Sequence, residues 1–240
     1  MSPSAFDFIP PAGYGRIKLV RSFEELVETP FRDGVNALCW RRELTGDFGE
    51  IAGLLAKGPG IVPVEASTLE TLSLSSAGEA AARFLLEDSR RLHELDLAPE
   101  LNCILAYPRD DDSGPVRTDV YSFHADSAPV EAATWLCTYH GRPSEGLRND
   151  EARRQVDIPE TRAKLLNEFG GADDDDFREH LEEHAYDLHY APLPGAVPFR
   201  FGLGNLWRIA IEYPGCPVPP CIHRAPETLP GDPPRLLLIS

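Results

Sequence analysis

Apolar residues recur at helical spacing through most of the first hundred positions. "RSFEELVET" opens with Ser22 and carries Glu25 three residues later, a pair whose side chains can satisfy the free N–H groups of a helix N-terminus. "DFGEIAGLLAKG" and the longer "SSAGEAAARFLLEDSRRLHELD" repeat the amphipathic period, the second running out near Pro99. Between the first two, "VNALCW" is continuously apolar and predicts a buried strand. Residues 1–99 therefore read as a helix-rich support region.

From residue 100 the period changes. "LNCILAY", "VRTDVYSFHA", "ATWLCTYH", "AVPFRF", "NLWRIAIEY", "PPCIHRA" and "RLLLIS" are short, β-branched or aromatic, and separated by Pro, Gly and Asp. Such a series predicts a sandwich or barrel, so residues 100–240 are expected to form a β core. Helical spacing returns over about residues 158–190, in "PETRAKLLNEFGG" and "DDDDFREHLEEHAYDLHY", and predicts an inserted lid or flank. The acidic run Asp173–Asp176 stands where the second helix would begin, and negative charge there is favoured by the helix dipole; the ligand and glycine spacing of a calcium loop is missing. The fold class expected is α+β, one domain over 1–240.

Composition narrows the function classes. A formal charge of −16 with scattered Lys and Arg disfavours nucleic acid, because a phosphate backbone would be repelled. Without a 20-residue apolar run or a basic-then-apolar leader, the expectation is a cytoplasmic protein with no membrane partner. Cys39, Cys103, Cys137, Cys216 and Cys221 are odd in number and widely spaced, which suggests buried thiols rather than disulfides or a zinc knuckle.

Two stretches carry candidate metal chemistry. In "TDVYSFHADSAP", His124 and Asp126 are two apart on a predicted strand and so point the same way. Seven histidines and 39 acidic residues in 240 predict about one H-x-D/E by chance, and two occur, His124-x-Asp126 and His180-x-Glu182. The rival is "HLEEH", which matches an inverted zinc-hydrolase pattern through His180, Glu183 and His184, with His189 as a conceivable third ligand. That helix is polar almost all round, unlike the floor of a catalytic cleft. The downstream stretch "PPCIHRAPETLPGDPPRLLLIS" adds His223 on a short strand and Arg235 at the head of the last one. Two histidines and a carboxylate on one face of an iron leave positions open for a co-substrate and dioxygen.

With His124-x-Asp126, His223 and Arg235 twelve residues beyond it, the chain resembles the Fe(II)/2-oxoglutarate-dependent oxygenase superfamily over roughly residues 100–240. The resemblance implies a double-stranded β-helix, that is a jelly-roll or cupin-like core, with Fe(II) held by His124, Asp126 and His223 and with 2-oxoglutarate and O2 as co-substrates. It implies that Arg235 holds the distal carboxylate of 2-oxoglutarate, a task suited to a forked guanidinium whose charge does not titrate away. It also implies co-substrate contacts for Tyr107 and, less directly, Asn102 in "LNCILAYPRDDDSG". The retained Asp126 argues against halogenation, leaving hydroxylation, desaturation or ring formation of a small molecule such as an amino acid or specialised metabolite. Trp135, Tyr139, Arg148, Trp207 and Arg208 are candidate substrate contacts. A same-triad iron oxidase independent of 2-oxoglutarate, the zinc hydrolase and a non-catalytic cupin-like binding protein stand as alternatives.

Overall fold

The computed structural model describes residues 7–58, 60–109 and 114–240. Strand β1 (Ile17–Val20) leads through α1 (Phe23–Glu28), β2 (Ala37–Trp40), α2 (Phe48–Leu55), β3 (Ile61–Pro63) and α3 (Ala66–Thr71) to the long α4 (Ser76–His93). There follow β4 (Glu100–Ile104), β5 (Phe123–His124), β6 (Ala133–His140), β7 (Glu145–Leu147) and β8 (Ala152–Arg154). Helices α5 (Pro159–Phe169) and α6 (Asp175–Glu183) precede β9 (His189–Pro192), β10 (Phe199–Arg200), β11 (Leu206–Ala210), β12 (Ile222–Arg224) and β13 (Arg235–Ile239). Among the described residues no helix is long and apolar enough to cross a membrane.

The helix ends follow the capping chemistry of the chain. Ser22 Oγ accepts from Glu25 N at 3.1 Å, and the Glu25 carboxylate accepts from Arg21 N at 2.8 Å. Asp174 caps α6 through Phe177 N, while Asp173 pairs with Arg162, so the acidic run acts as a cap and a surface ion pair. In α4, Ala81, Leu85 and Leu92 repeat at helical spacing and are buried against the large sheet.

The strands form two sheets. The larger has the order β1-β2-β11-β6-β13-β4-β3 and the smaller β10-β7-β12-β5-β9-β8; apart from the parallel pair β1/β2, all neighbours are antiparallel. Helices α1–α4 cover one face of the large sheet through a core containing Leu26, Ile51, Leu85 and Leu206. A second core, with Leu136, Trp207, Phe199 and Leu237, lies between the sheets. Helices α5 and α6 make a separate core of Val116, Val156, Leu165, Phe177 and Leu181. From β4 onward, β4, β6, β11 and β13 belong to the large sheet and β5, β7, β10 and β12 to the small one.

Several expectations are corrected here. The helix-rich region also supplies β1, β2 and β3, of which only β2 has the apolar run that predicts a strand; β1 and β3 sit at sheet edges and are partly exposed. "VRTDVYSFHA" yields only the two paired residues of β5, because the Asp119 carboxylate accepts from Tyr121 N and Ser122 N and turns the chain just before it. The helix expected to reach residue 190 stops at Glu183, and β9 then pairs with β5. Strand β7 has an unpromising sequence, Glu-Gly-Leu, because an added Cβ on Gly146 would lie 2.2 Å from the Phe199 ring. All five cysteines are free.

Candidate metal centre

The small sheet brings the dispersed ligands together. His223 on β12 is directly opposite His124 on β5, and Asp126 lies two residues beyond His124. Strand alternation sends Phe123 into an outer cluster with Leu147 and Ile222, while His124 faces inward. The Asp126 carboxylate lies 3.7 Å from His124 Nε2 and 3.6 Å from His223 Nε2. One ligand atom from each of the three residues falls within 4.8 Å of the others, and no other group of three or more His, Cys, Asp or Glu does so among the described residues.

The surroundings prepare these atoms for a cation. His124 Nδ1 is 2.8 Å from the Ser122 carbonyl and His223 Nδ1 is 3.3 Å from the Cys221 carbonyl; donation there leaves each Nε2 with its lone pair inward. Thr134 donates its hydroxyl to Asp126 Oδ2. Burial, reinforced by neighbouring His223, pushes the His124 pKa down to about 4 against the pull of Asp126, so the imidazole is neutral at neutral pH. Burial alone would raise the Asp126 pKa, but His223, His124 and the Thr134 hydroxyl hold it below its ordinary value. Two histidines with Nε2 turned inward and one ionised carboxylate form a donor set that fits a divalent transition metal.

A cavity of about 180 Å³ runs between the sheets from this triad to Arg235. Arg235 is 6% exposed. Its guanidinium donates to Tyr107 Oη at 2.8 Å, to Thr138 Oγ1 at 3.3 Å and to Ser144 Oγ, while its Nε–H has no partner. No carboxylate pairs with it among the described residues. Burial lowers the Arg235 pKa, although a guanidinium keeps its proton. A buried cation ringed by neutral hydroxyls is costly unless an anion joins it. Gly141, at φ +78°, permits this placement: an added Cβ would lie 2.9 Å from Arg235 Cα.

Tyr107 and Asn102 also border the cavity. Tyr107 lies three residues past the end of β4 rather than on the expected strand; Tyr107 N donates to Tyr121 Oη at 3.0 Å. Residues 110–113 of "LNCILAYPRDDDSG" lie outside the described residues. The five proposed substrate contacts do not border the cavity. Trp135 and Tyr139 face the helices, where the Tyr139 hydroxyl donates to Asp88. Arg208 donates to the carbonyls of Leu26, Val27 and Thr29 and so closes the end of α1. Trp207 is packed between the sheets with its indole N–H on the Phe201 carbonyl, and Arg148 pairs with Asp150.

In the rival motif the His180 and His184 rings lie 4.3 Å apart, but no third His, Cys, Asp or Glu joins them among the described residues. His184 lies just past the end of α6, exposed, with Nδ1 2.9 Å from the His180 carbonyl, and Glu183 is exposed as well. His189 instead faces His124 at 5.8 Å between ring centroids, with its Nδ1 2.8 Å from the Ala185 carbonyl. Thr134, Thr138 and Ser144 are the polar residues that sequence reasoning missed. The first two fall on the inward positions of β6, so the period-two rule offers a signal for them; Ser144 offers none. Comparison of the chain with family models, with curated proteins and with solved structures finds no match.

Proposed function

We propose that this protein is a non-haem Fe(II) oxygenase that uses 2-oxoglutarate and O2 to oxidise a small molecule. The observation that carries this reading is the sharing of one cavity by the His124/Asp126/His223 donor set and the buried Arg235, which no carboxylate pairs with among the described residues. A metal site alone would suit an oxidase or a binding protein equally well, whereas an uncompensated guanidinium in the same cavity favours a carboxylate-bearing co-substrate. The partition of β4, β6, β11 and β13 against β5, β7, β10 and β12 supports a double-stranded β-helix as the core.

His124, Asp126 and His223 would hold the iron, which together with 2-oxoglutarate and O2 supplies oxidising power at the cost of 2-oxoglutarate becoming succinate and CO2. The chain's own residues would do the rest. Arg235 would receive the distal carboxylate, with Tyr107, Thr138 and Ser144 fixing the guanidinium plane so that little order is lost on binding. Thr134 holds Asp126 in one orientation. The apolar walls at Ile104, Leu136 and Leu237 exclude water around the bound diacid.

The decisive experiment is anaerobic addition of Fe(II) followed by 2-oxoglutarate, recorded in the visible range. A charge-transfer band that requires both additions, followed by succinate formation when O2 is admitted, is the expected result. If no band forms and Arg235→Leu leaves 2-oxoglutarate affinity unchanged, the proposal fails. Metal binding without succinate would instead point to an oxidase or a binding protein.

A further inference from the structure

Resting on that reading, the shape of the cavity bears on the molecule being oxidised. Sites that enclose a whole drug-sized ligand run to about 300–1,000 Å³. The roughly 180 Å³ between triad and Arg235 leaves room for a five-carbon diacid and little beside it. The second substrate must therefore reach the metal from the cavity's open side.

That side is aliphatic. Of the apolar residues bordering the cavity, Leu136, Leu237 and Ile104 are buried walls, whereas Ile61 on β3 and Val120 before β5 are 43% and 37% exposed. Both are held by main chain. Ile61 is paired with Ile104 in the large sheet, and the Val120 carbonyl accepts from Ala225 N, two residues past His223, at 2.7 Å. No free charge competes with them: apart from the triad and Arg235, the charged side chain bordering the cavity among the described residues is Arg224, which donates to Glu145 at 2.8 Å.

We infer that the oxidised substrate presents an uncharged aliphatic group to the metal, and that Ile61 and Val120 select it. Desolvation of these two side chains by a hydrocarbon segment would supply binding, while an ammonium, carboxylate or polyol would lose hydration there without gaining a partner.

The test loads the full chain with Mn(II), which accepts nitrogen and oxygen ligands and relaxes nearby protons, and adds 2-oxoglutarate. Proton relaxation is then measured for 1-pentanol, glycerol and ethylammonium as probes. The 1-pentanol methyl should be relaxed about tenfold more than either polar probe, and Ile61→Asn and Val120→Asn should each remove most of that excess, since one apolar contact is worth about tenfold or more. Mn(II) and 2-oxoglutarate affinities, measured by calorimetry on the same samples, report whether each variant keeps its fold. Equal or greater relaxation of the polar probes, or undiminished 1-pentanol relaxation in both variants, overturns the inference alone. Failure of the unmodified chain to bind Mn(II) or 2-oxoglutarate overturns the oxygenase reading and the inference with it.

Discussion

In the large sheet, β6 runs through eight residues and β11 and β13 through five each, covered by helices on one face and by the inter-sheet core on the other. In the small sheet, β5 and β10 have two residues each and β12 has three. Two short strands carry the histidines of the candidate triad, with Asp126 just past the end of β5, and the large sheet carries Arg235. One sheet is therefore packed on both faces while the other presents the candidate triad, and a ligand spanning the cavity would tie the two together. The short strands can hold ligands because neighbours pin them: β5 lies between β12 and β9, each pairing directly with His124.

The contrast is broken most sharply on the helix side of the large sheet. Arg42 and Asp88 form a buried bidentate pair at 2.7 Å, and Tyr139 donates to the same carboxylate. Asp88→Ala should cost about 3–5 kcal/mol in urea unfolding, because it strands a buried guanidinium. Metal affinity extrapolated to the folded protein should stay unchanged; a matching loss would show that the two sheets are not separable in this way. On the small sheet the reverse is expected. His223→Ala should lower Co(II) affinity by well over about 100-fold, more than the 10–100-fold typical of losing a ligand's outer partner. Its unfolding midpoint without metal should move little.

Arg235→Leu separates anchoring from coordination. It should weaken 2-oxoglutarate binding by about 30–100-fold while leaving Co(II) affinity intact, as befits loss of charge-assisted hydrogen bonds worth roughly 2–3 kcal/mol. Without ligand the variant should unfold no more easily than the parent, since it removes a buried charge that has no carboxylate partner among the described residues. Gly146→Ala probes how closely the small sheet is packed: the new methyl would strike Phe199, at a cost of about 1–3 kcal/mol. Because Gly146 is also opposite His223, a measurable fall in Co(II) affinity should accompany it. The smallest effect is expected for Thr134→Val, which removes the hydroxyl orienting Asp126 and should reduce metal affinity about tenfold by calorimetry.

Legibility followed the same division between sheets. Strands β4, β6, β11 and β13 are rich in apolar residues because both of their faces are largely buried, and such segments stand out in a chain. Strands β7, β8 and β9 are short, and Gly146, Arg153 and Pro192 within them answer to particular neighbours rather than to strand propensity. The substrate contacts proposed from residue type alone lie elsewhere for a related reason. Trp135, Tyr139 and Arg208 occupy outward positions of β6 and β11, and aromatic or cationic character does not reveal which face of a strand is the inner one.

The chain by itself determined the chemistry on offer. The spacing of His124 and Asp126 lets extended backbone turn both to one side, a local consequence of alternation, and the residues that can coordinate or bind an anion are written in the chain. Tertiary structure decided which of these residues meet. Only the pairing of β12 with β5 sets His223 against His124, and only the closure of the two sheets leaves Arg235 on the same cavity with hydroxyls around it and, among the described residues, no carboxylate. The entry of Ile61 from β3 at the cavity mouth is likewise a product of sheet order. Side-chain direction depends on the residue's own backbone, whereas the company a buried group keeps depends on contacts between distant segments.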